Sequence, residues 1–418
     1  MVNEKQVKRI LDYLDSREES VKQFLSDLIR IPSISGGESA IQNHLLSRFK
    51  QLNLQGEAIP VDPAIKQDPE YTFAERDLDY TDRPNVLVCK PGRGQGRSII
   101  LNAHSDTVPA ENWPEAFTPT IQDDTITGRG ACDDKGQIAV LYLVLEALQT
   151  LDIQLAGDIW IEMVIEEEIG GNGSLALIRS GYHADGAIVL EPTNMKIHPA
   201  NRGVVWFTAT VTGKPVHMGY IYEGVSAIDL AFEVIGIFKE YEKKLIEESR
   251  NHPLFVMHRQ PVQLNVGMLN AGDWPATVPA SAVLRGGVGF LPNKSMDSVK
   301  RELERSIRDY GSEWLQSHHC LVFDTQHNDA FETSVRHPLV KTFQNACVQE
   351  NLPDDLSGWV VSCDARLFKH AGNMPTIVFG PGNLKDAHSA HERIQVRDIV
   401  KSAKVLAVFL CQWCGLQN

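Results

Sequence analysis

Cysteine is sparse in this sequence. Seven are scattered through 418 residues, an odd number with no dense spacing. A disulfide framework needs more of them in a shorter chain, so reduced thiols in a cytoplasmic setting are expected. One pair, Cys411 and Cys414, forms a CxxC beside Trp413. It falls in an apolar C-terminal helix pattern and reads as core packing. Long apolar runs are missing too, and none approaches the ~20 residues of a membrane helix. The first residues, MVNEKQVKRILDYLDSREES, carry too much charge for a signal peptide. Basic side chains are outnumbered, 40 Lys and Arg against 54 Asp and Glu, for a formal net charge of −14. Affinity for phosphate needs clustered Lys and Arg, so neither nucleic acid nor an anionic membrane is an expected partner. No internal repeat or low-complexity tract is visible.

What is present suits an ordinary globular protein: 43% hydrophobic and 22% charged residues,. At roughly 150 residues per domain, two or three domains are expected. Val21, Phe24, Leu25, Leu28 and Ile29 recur at helical spacing, and Pro32 ends that helix,. A second helix is expected from about Ser39 to Leu52, then a polar irregular stretch over 61–83. Apolar runs at Asn85–Cys89, Ser98–Asn102, Asp158–Ile165 and Gly186–Leu190 alternate with helical patterns at Lys135–Thr150 and Ser174–Ser180. Such alternation predicts an α/β domain with a largely parallel sheet. Near residue 198 the texture changes. Gly203–Thr212 reads as a longer strand, followed by a helix from Ala227, two strands and a helix at Ser295–Tyr310. This is an α+β module, and the α/β texture returns with Thr376–Phe379 and a terminal helix. The expected domains are 1–197 and 329–418 together, with 198–328 inserted, so that the chain crosses between them twice.

Five short motifs follow β-type runs, the place where open α/β sheets gather ligands. The first is His104-Ser105-Asp106, in which Asp106 can accept the second N–H of a ligating imidazole; a plain surface loop is the alternative. The second is Gly128 to Gly136, holding Asp133 and Asp134 at a helix start. These carboxylates either reach a metal or cap the helix and offset its dipole. The third is Glu166-Glu167-Glu168-Ile169-Gly170-Gly171, a solvated acidic turn or a cluster whose repulsion a cation relieves. The fourth is Glu191-Pro192-Thr193, and the fifth runs from Gly380 through Asp386-Ala387-His388 to His391-Glu392. Nitrogen and oxygen donors without Cys suit Zn²⁺, Co²⁺ or Mn²⁺. The carboxylates exceed what one catalytic zinc uses, so two metals sharing a carboxylate are expected. The residues by themselves lead to a metal-dependent hydrolase.

Taken in order, these motifs resemble the co-catalytic zinc amidohydrolases and peptidases that include acetylornithine deacetylase, succinyl-diaminopimelate desuccinylase, aminoacylase-1 and glutamate carboxypeptidase. The resemblance runs from Leu28-Ile29-Arg30-Ile31-Pro32-Ser33 to His391-Glu392. It implies an α/β catalytic domain with a largely parallel sheet and an inserted two-layer α+β lid, through which a homodimer forms. It implies two divalent ions per subunit, Zn²⁺ first and Co²⁺ or Mn²⁺ as alternatives. Asp133 then bridges both ions, His104 and Glu191 complete one site, and Glu168 and His388 the other. Glu167 is the implied general base and Asp106 the residue that orients His104. A cis peptide is implied at Asp133–Asp134. His217, in Gly213-Lys214-Pro215-Val216-His217, matches the lid histidine that stabilises an oxyanion; without the resemblance it reads as a turn residue.

One departure stands out. Relatives often carry Asp-x-Arg-x-x-Pro late in the lid, with an Arg for a substrate carboxylate. Here the stretch is Gly287-Val288-Gly289-Phe290-Leu291-Pro292, with Gly289 in the Arg position. Arg202, Asn265 and Arg285 are the candidate substrate contacts, against surface or packing roles. The implied reaction is hydrolysis of the amide of an N-acyl amino acid or similar small amine. Alternatives are a metallo-exopeptidase or dipeptidase acting on short peptides, an N-formyl amine deformylase, and a non-catalytic metal-binding relative.

Overall fold

A computed structural model describes residues 2–74, 77–110, 113–323 and 326–417. The chain divides into two compact units: Met1–Ala200 with Glu332–Ser357 and Cys363–Asn418, and Asn201–Phe331 with Gly358–Ser362. With the short segment Gly358–Ser362 in the second unit, the chain passes between these units four times.

The first unit is built on a nine-stranded sheet. Its centre is parallel, in the order Ile159–Val164, Ile99–His104, Ala187–Val189, Thr376–Val378. These strands are buried along almost their whole length, which is why they read as unbroken apolar runs rather than alternating ones. Antiparallel strands flank the centre: Asn85–Lys90 and Gln55–Ile59 on one side, Ile197–Asn201 on the other. The helix Lys135–Thr150 is buried from Lys135 through Leu148. A helix apolar on every side must lie inside, and Val2–Asp15, Glu18–Ile29 and Val396–Leu410 pack around it. Phe343 sits against Phe379 and Phe409, with ring centroids 4.7 and 5.1 Å apart. A small antiparallel sheet joins Arg393–Gln395 to Thr125–Thr127 and Thr120–Gln122. Its strands of three residues are too short to show a period in the sequence.

The second unit is an antiparallel sheet, Gln263–Ala271, Ser281–Phe290, Gly203–Thr212 and His319–Val322 in that order, with His327–Asn328 beside Gly203–Thr212. Along Gly203–Thr212, buried residues alternate with more exposed ones. Helices Ala227–Ser249 and Met296–Tyr310 cover the apolar face, each started by a serine, Ser226 and Ser295, whose hydroxyl accepts a backbone N–H of the first turn,. Phe207 meets Phe238 edge to face at 5.1 Å. Both the parallel-sheet unit and the separate α+β unit agree with the fold class expected from the sequence. Among the described residues, no helix is long and apolar enough to cross a membrane.

All seven cysteines are free thiols. Cys411 and Cys414 lie in the last, π-helical turn and are buried, as core packing predicts; burial pushes the Cys411 thiol up to about 12. Cys320 is exposed, Cys89 half-buried and the other five buried. In a native thiol titration, Cys320 therefore reacts first and the buried five react only on unfolding. Rapid modification of Cys411 or Cys414 in the folded chain would contradict this packing.

Candidate active site

Four parallel strands deliver four of the motifs to one sheet edge. His104 ends Ile99–His104, the three glutamates follow Ile159–Val164, Glu191 follows Ala187–Val189, and the His388 loop follows Thr376–Val378. Asp133 and Asp134 reach the same edge from the start of the Lys135–Thr150 helix, and the peptide bond between them is cis.

Two groups of donor atoms result, each within 4.8 Å: His104, Asp133, Asp134 and Glu191, and Asp133, Glu168 and His388. The five residues expected as ligands are thus brought together, with Asp133 in both groups. His104 Nε2 lies 2.9 Å from Asp133 Oδ1. His388 Nε2 lies 3.3 Å from Asp133 Oδ2 and 3.1 Å from Glu168 Oε2. Asp134 was not among the expected ligands. Its side chain makes no helix-capping bond; Oδ2 accepts the His104 backbone N–H at 3.0 Å and buried Oδ1 has no hydrogen-bond partner among the described residues. The adjacent Asp-Asp pair was the signal that could have found it.

Asp106 orients both neighbours. Its carbonyl and Oδ1 lie 3.0 and 3.3 Å from His104 Nδ1, which leaves Nε2 facing the carboxylates. Its carboxylate also accepts the backbone N–H groups of Glu167 and Glu168 at 3.1 and 3.2 Å and the Ser35 hydroxyl at 2.7 Å. Glu167 Oε2 stands 4.0 Å from His104 Nε2, its side chain 14% exposed.

The electrostatics suit cations. Burial raises the Glu191 carboxyl well above its ordinary range, and Glu167, Asp134 and Asp133 push it further. Burial and Asp133 raise Glu168 to about 7 against the opposing pull of His388. Glu167 is raised by burial, offset in part by His104. Burial would raise Asp133 as well, yet hydrogen bonds with His104 and His388 hold it below the usual range. Hydrogen bonds to Asp133 and Glu168 lift His388 to about 10. Five carboxylates thus share two imidazoles. At separations near 5 Å, two like charges repel by about 3 kcal/mol at an effective dielectric near 20. The donor set of imidazole nitrogen and carboxylate oxygen fits a pair of divalent ions.

Other residues brace the site from a distance in sequence. Buried Glu392 accepts the backbone N–H groups of Cys132 and Asp133, both at 3.0 Å, and pairs with Arg129 at 2.7 Å. Glu166 is fully buried and has a positive φ of 61°. It accepts from Arg83 at 2.7 Å, Tyr80 at 2.9 Å and Asn172 at 2.9 Å. Arg83 also pairs with Glu38 at 2.7 Å. The acidic run is therefore not a solvated turn. Gly171, at φ +84°, lets the chain double back into the helix Asn172–Arg179, and a Cβ there would lie 2.1 Å from Asp364 Oδ1.

The remaining candidates belong to the second unit. His217 is exposed and caps a 3₁₀ turn, its Nδ1 accepting from the Gly219 N–H at 3.1 Å. In the neutral ring that leaves the proton on Nε2, a donor. Asn265 pairs with Gly287 across the strands, and Arg285 lies two residues from Gly287 on the same face. Both are exposed, on the side away from the helices. The Arg202 guanidinium lies on that face too. A Cβ at Gly289 would meet its Nε, Cδ and Cζ at 2.8–3.0 Å.

The match to known proteins agrees. The family model of peptidase family M20/M25/M40 matches residues 100–412. The chain belongs to this family. It is 28% identical over 371 residues to N-formyl-4-amino-5-aminomethyl-2-methylpyrimidine deformylase of Halalkalibacterium halodurans, covering 81% of this chain and 85% of the relative. It is 29% identical over 353 residues to acetylornithine deacetylase of Myxococcus xanthus, covering 80% and 85%. A tripeptidase structure from Staphylococcus aureus shares the fold, with a TM-score of 0.76 at 20% identity over 95% of this chain and 98% of that one. As a member of the family the chain is a metal-dependent hydrolase of amide bonds, and its clustered donors are consistent with a dinuclear divalent centre.

Two outcomes follow from this packing. Arg83→Met leaves Glu38 and Glu166 buried without their cation, so urea unfolding should show a loss of about 3–5 kcal/mol; a loss below about 1 kcal/mol would show that the clamp is dispensable. Gly289→Ala crowds Arg202 and should destabilise the chain by about 1–3 kcal/mol. In an Arg202→Ala background the same change should cost less than half as much. Equal costs in both backgrounds would remove Arg202 from the explanation of Gly289.

Proposed function

We propose that the chain removes the acyl group from an N-acyl amino acid or a similar small amine. The observation that carries the reading is Asp133 shared between two donor groups, with Glu167 at their side. Asp133 would bridge two ions, His104 and Glu191 would hold one, and Glu168 and His388 the other. Zn²⁺ is the first choice for nitrogen and oxygen donors, ahead of Co²⁺ or Mn²⁺. When bound, such ions supply Lewis acidity, which lowers the pKa of water and polarises a carbonyl.

The protein's own groups do the rest. Glu167, whose carboxyl is raised by burial, takes a proton from the attacking water and later gives it to the leaving amine. Asp106 keeps the His104 ring in one orientation through Nδ1. The Nε2–H of His217 is suited to donate to the developing oxyanion. Arg202 is the favoured partner for a substrate carboxylate, because burial lowers its guanidinium and its buried Nε has no partner among the described residues; Asn265 and Arg285 share its sheet face. The catalytic domain is assigned to 1–197 with 329–418, and the lid to 198–328. A homodimer through the lid is supported by the exposed run of Met218, Tyr220, Ile221 and Tyr222,. Seven free thiols support a cytoplasmic setting,.

A second reading, an N-formyl amine deformylase, is favoured by the relative from Halalkalibacterium halodurans. A panel of N-acetyl, N-succinyl and N-formyl amines beside dipeptides, run with added Zn²⁺, Co²⁺ or Mn²⁺, separates the readings. Cleavage of N-formyl amines alone selects the second, and cleavage of dipeptides alone overturns both. Glu167→Gln should lower kcat by about a hundred- to ten-thousandfold with metal content by elemental analysis unchanged. Substantial turnover in that variant would remove Glu167 as the base.

A further inference from the structure

Beside the metal-type cluster the first unit holds a cavity of about 1070 Å³. Its lining includes Ile34, Leu78, Val108, Trp113, Phe117 and Ile169. Two further lining residues tie it to the reaction centre. Glu168 belongs to the second donor group, and Ser35 donates to Asp106. The cavity therefore opens on the same atoms that the hydrolase reading uses.

We propose that this cavity is the specificity subsite of the enzyme, and that it takes an uncharged apolar group of the substrate, aromatic or branched aliphatic, attached next to the scissile amide. The proposal rests on the hydrolase reading above. The first argument is the chemistry of the wall. Among the described lining residues the one charged side chain is Glu168, which the cluster already engages. Among those residues a substrate anion finds no cation, and a substrate ammonium no carboxylate to spare. Burying either without a partner is unfavourable, whereas an apolar group exchanges water for hydrocarbon contact.

The second argument is rigidity. The Trp113 ring has the Arg129 guanidinium carbon 5.6 Å from its centroid, and the Phe117 ring has Lys135 Nζ at the same distance. Both side chains are buried and already engaged, Arg129 by Glu392 and Lys135 by the Ile31 carbonyl at 2.8 Å. They pack against the rings, Arg129 with a cation–π attraction, and are spent on those partners,. The backbone is held as well. The Ala116 N–H donates to Trp113 at 3.1 Å, and the Arg129 N–H donates to Ala116 at 2.7 Å. A wall fixed in this way binds a matching group without an ordering cost. The volume is at the upper end of the ~300–1,000 Å³ of small-molecule sites, ample for one side-chain-sized group.

The test uses the metal-loaded enzyme and four substrates: N-acetylglycine, N-acetylphenylalanine, N-acetyllysine and N-benzoylglycine. The expected result is that kcat/KM for N-acetylphenylalanine or N-benzoylglycine exceeds those for N-acetylglycine and N-acetyllysine by roughly ten- to hundredfold. Whichever of the two is preferred shows on which side of the amide the cavity lies. Val108→Trp fills the cavity and Trp113→Ala opens it, and both should collapse that ratio toward one. A second readout is independent of turnover: saturation-transfer NMR with benzyl alcohol, a neutral ring that the enzyme does not hydrolyse. Its binding should weaken severalfold in both variants. Equal hydrolysis of all four substrates, or an apolar preference unmoved by either variant, overturns the proposal. Ring binding sensitive to Val108 and Trp113 without hydrolysis of any substrate upholds the subsite and overturns the hydrolase reading instead.

Discussion

The first unit is organised around negative charge that it cannot spread out. Asp133, Asp134, Glu167, Glu168 and Glu191 converge on one edge of a parallel sheet, and among the described residues His104 and His388 are the imidazoles that face them. Two carboxylates this close repel by about 3 kcal/mol when both are ionised, and a domain is stable by only about 5–15 kcal/mol in all. Two further carboxylates pin the backbone that carries the cluster. Asp106 gathers two backbone N–H groups and a hydroxyl, and Glu392 gathers two more N–H groups. These bonds fix that backbone in place, and bound divalent ions would supply the missing charge.

The same constraint explains why the motifs are far apart in sequence. Parallel strands end on one side, so each can contribute a single residue to a shared edge. The helix Lys135–Thr150 adds Asp133 there, and Glu392 holds that turn from 259 residues away. The three glutamates then divide their tasks by direction. Glu166 turns inward to Arg83, Tyr80 and Asn172. Glu168 faces His388, and Glu167 lies toward His104. A run of three like charges is tolerable because its first member is paired with Arg83 and the other two face imidazoles.

Much of this was legible in the sequence, for reasons that can be named. Fully buried parallel strands leave unbroken apolar runs, and the residues just after those runs are the ones that the fold brings together. The motifs holding His104, Glu168, Glu191 and His388 were visible for that reason, and Asp133 at a helix start, while their assignment as ligands came from the family resemblance. The bracing residues were not. Arg83 and Tyr80 sit in the polar stretch 61–83, and their pairing with Glu166 is a long-range contact with no local period. Trp113 and Phe117 line a cavity from a loop, where apolar residues have neither the helical nor the strand repeat. Asp134 reads equally well as a helix cap until the missing cap bond is seen.

Gly289 shows how geometry can join two observations that the sequence keeps apart. The sequence presents a glycine where relatives carry an arginine, and separately an arginine at 202. On the second sheet these are one feature, since a Cβ at 289 would lie 2.8 Å from Arg202 Nε. A side chain at 289 would therefore have to displace the Arg202 side chain. Burial lowers the Arg202 guanidinium to about 10, with no acidic neighbour to oppose the shift. A buried cation without a counter-charge is destabilising on its own, and an anionic ligand group would relieve it. The guanidinium of Arg202, from the residue between Ile197–Asn201 and Gly203–Thr212, therefore takes the space that a side chain at 289 would need and lies on the same face of the sheet.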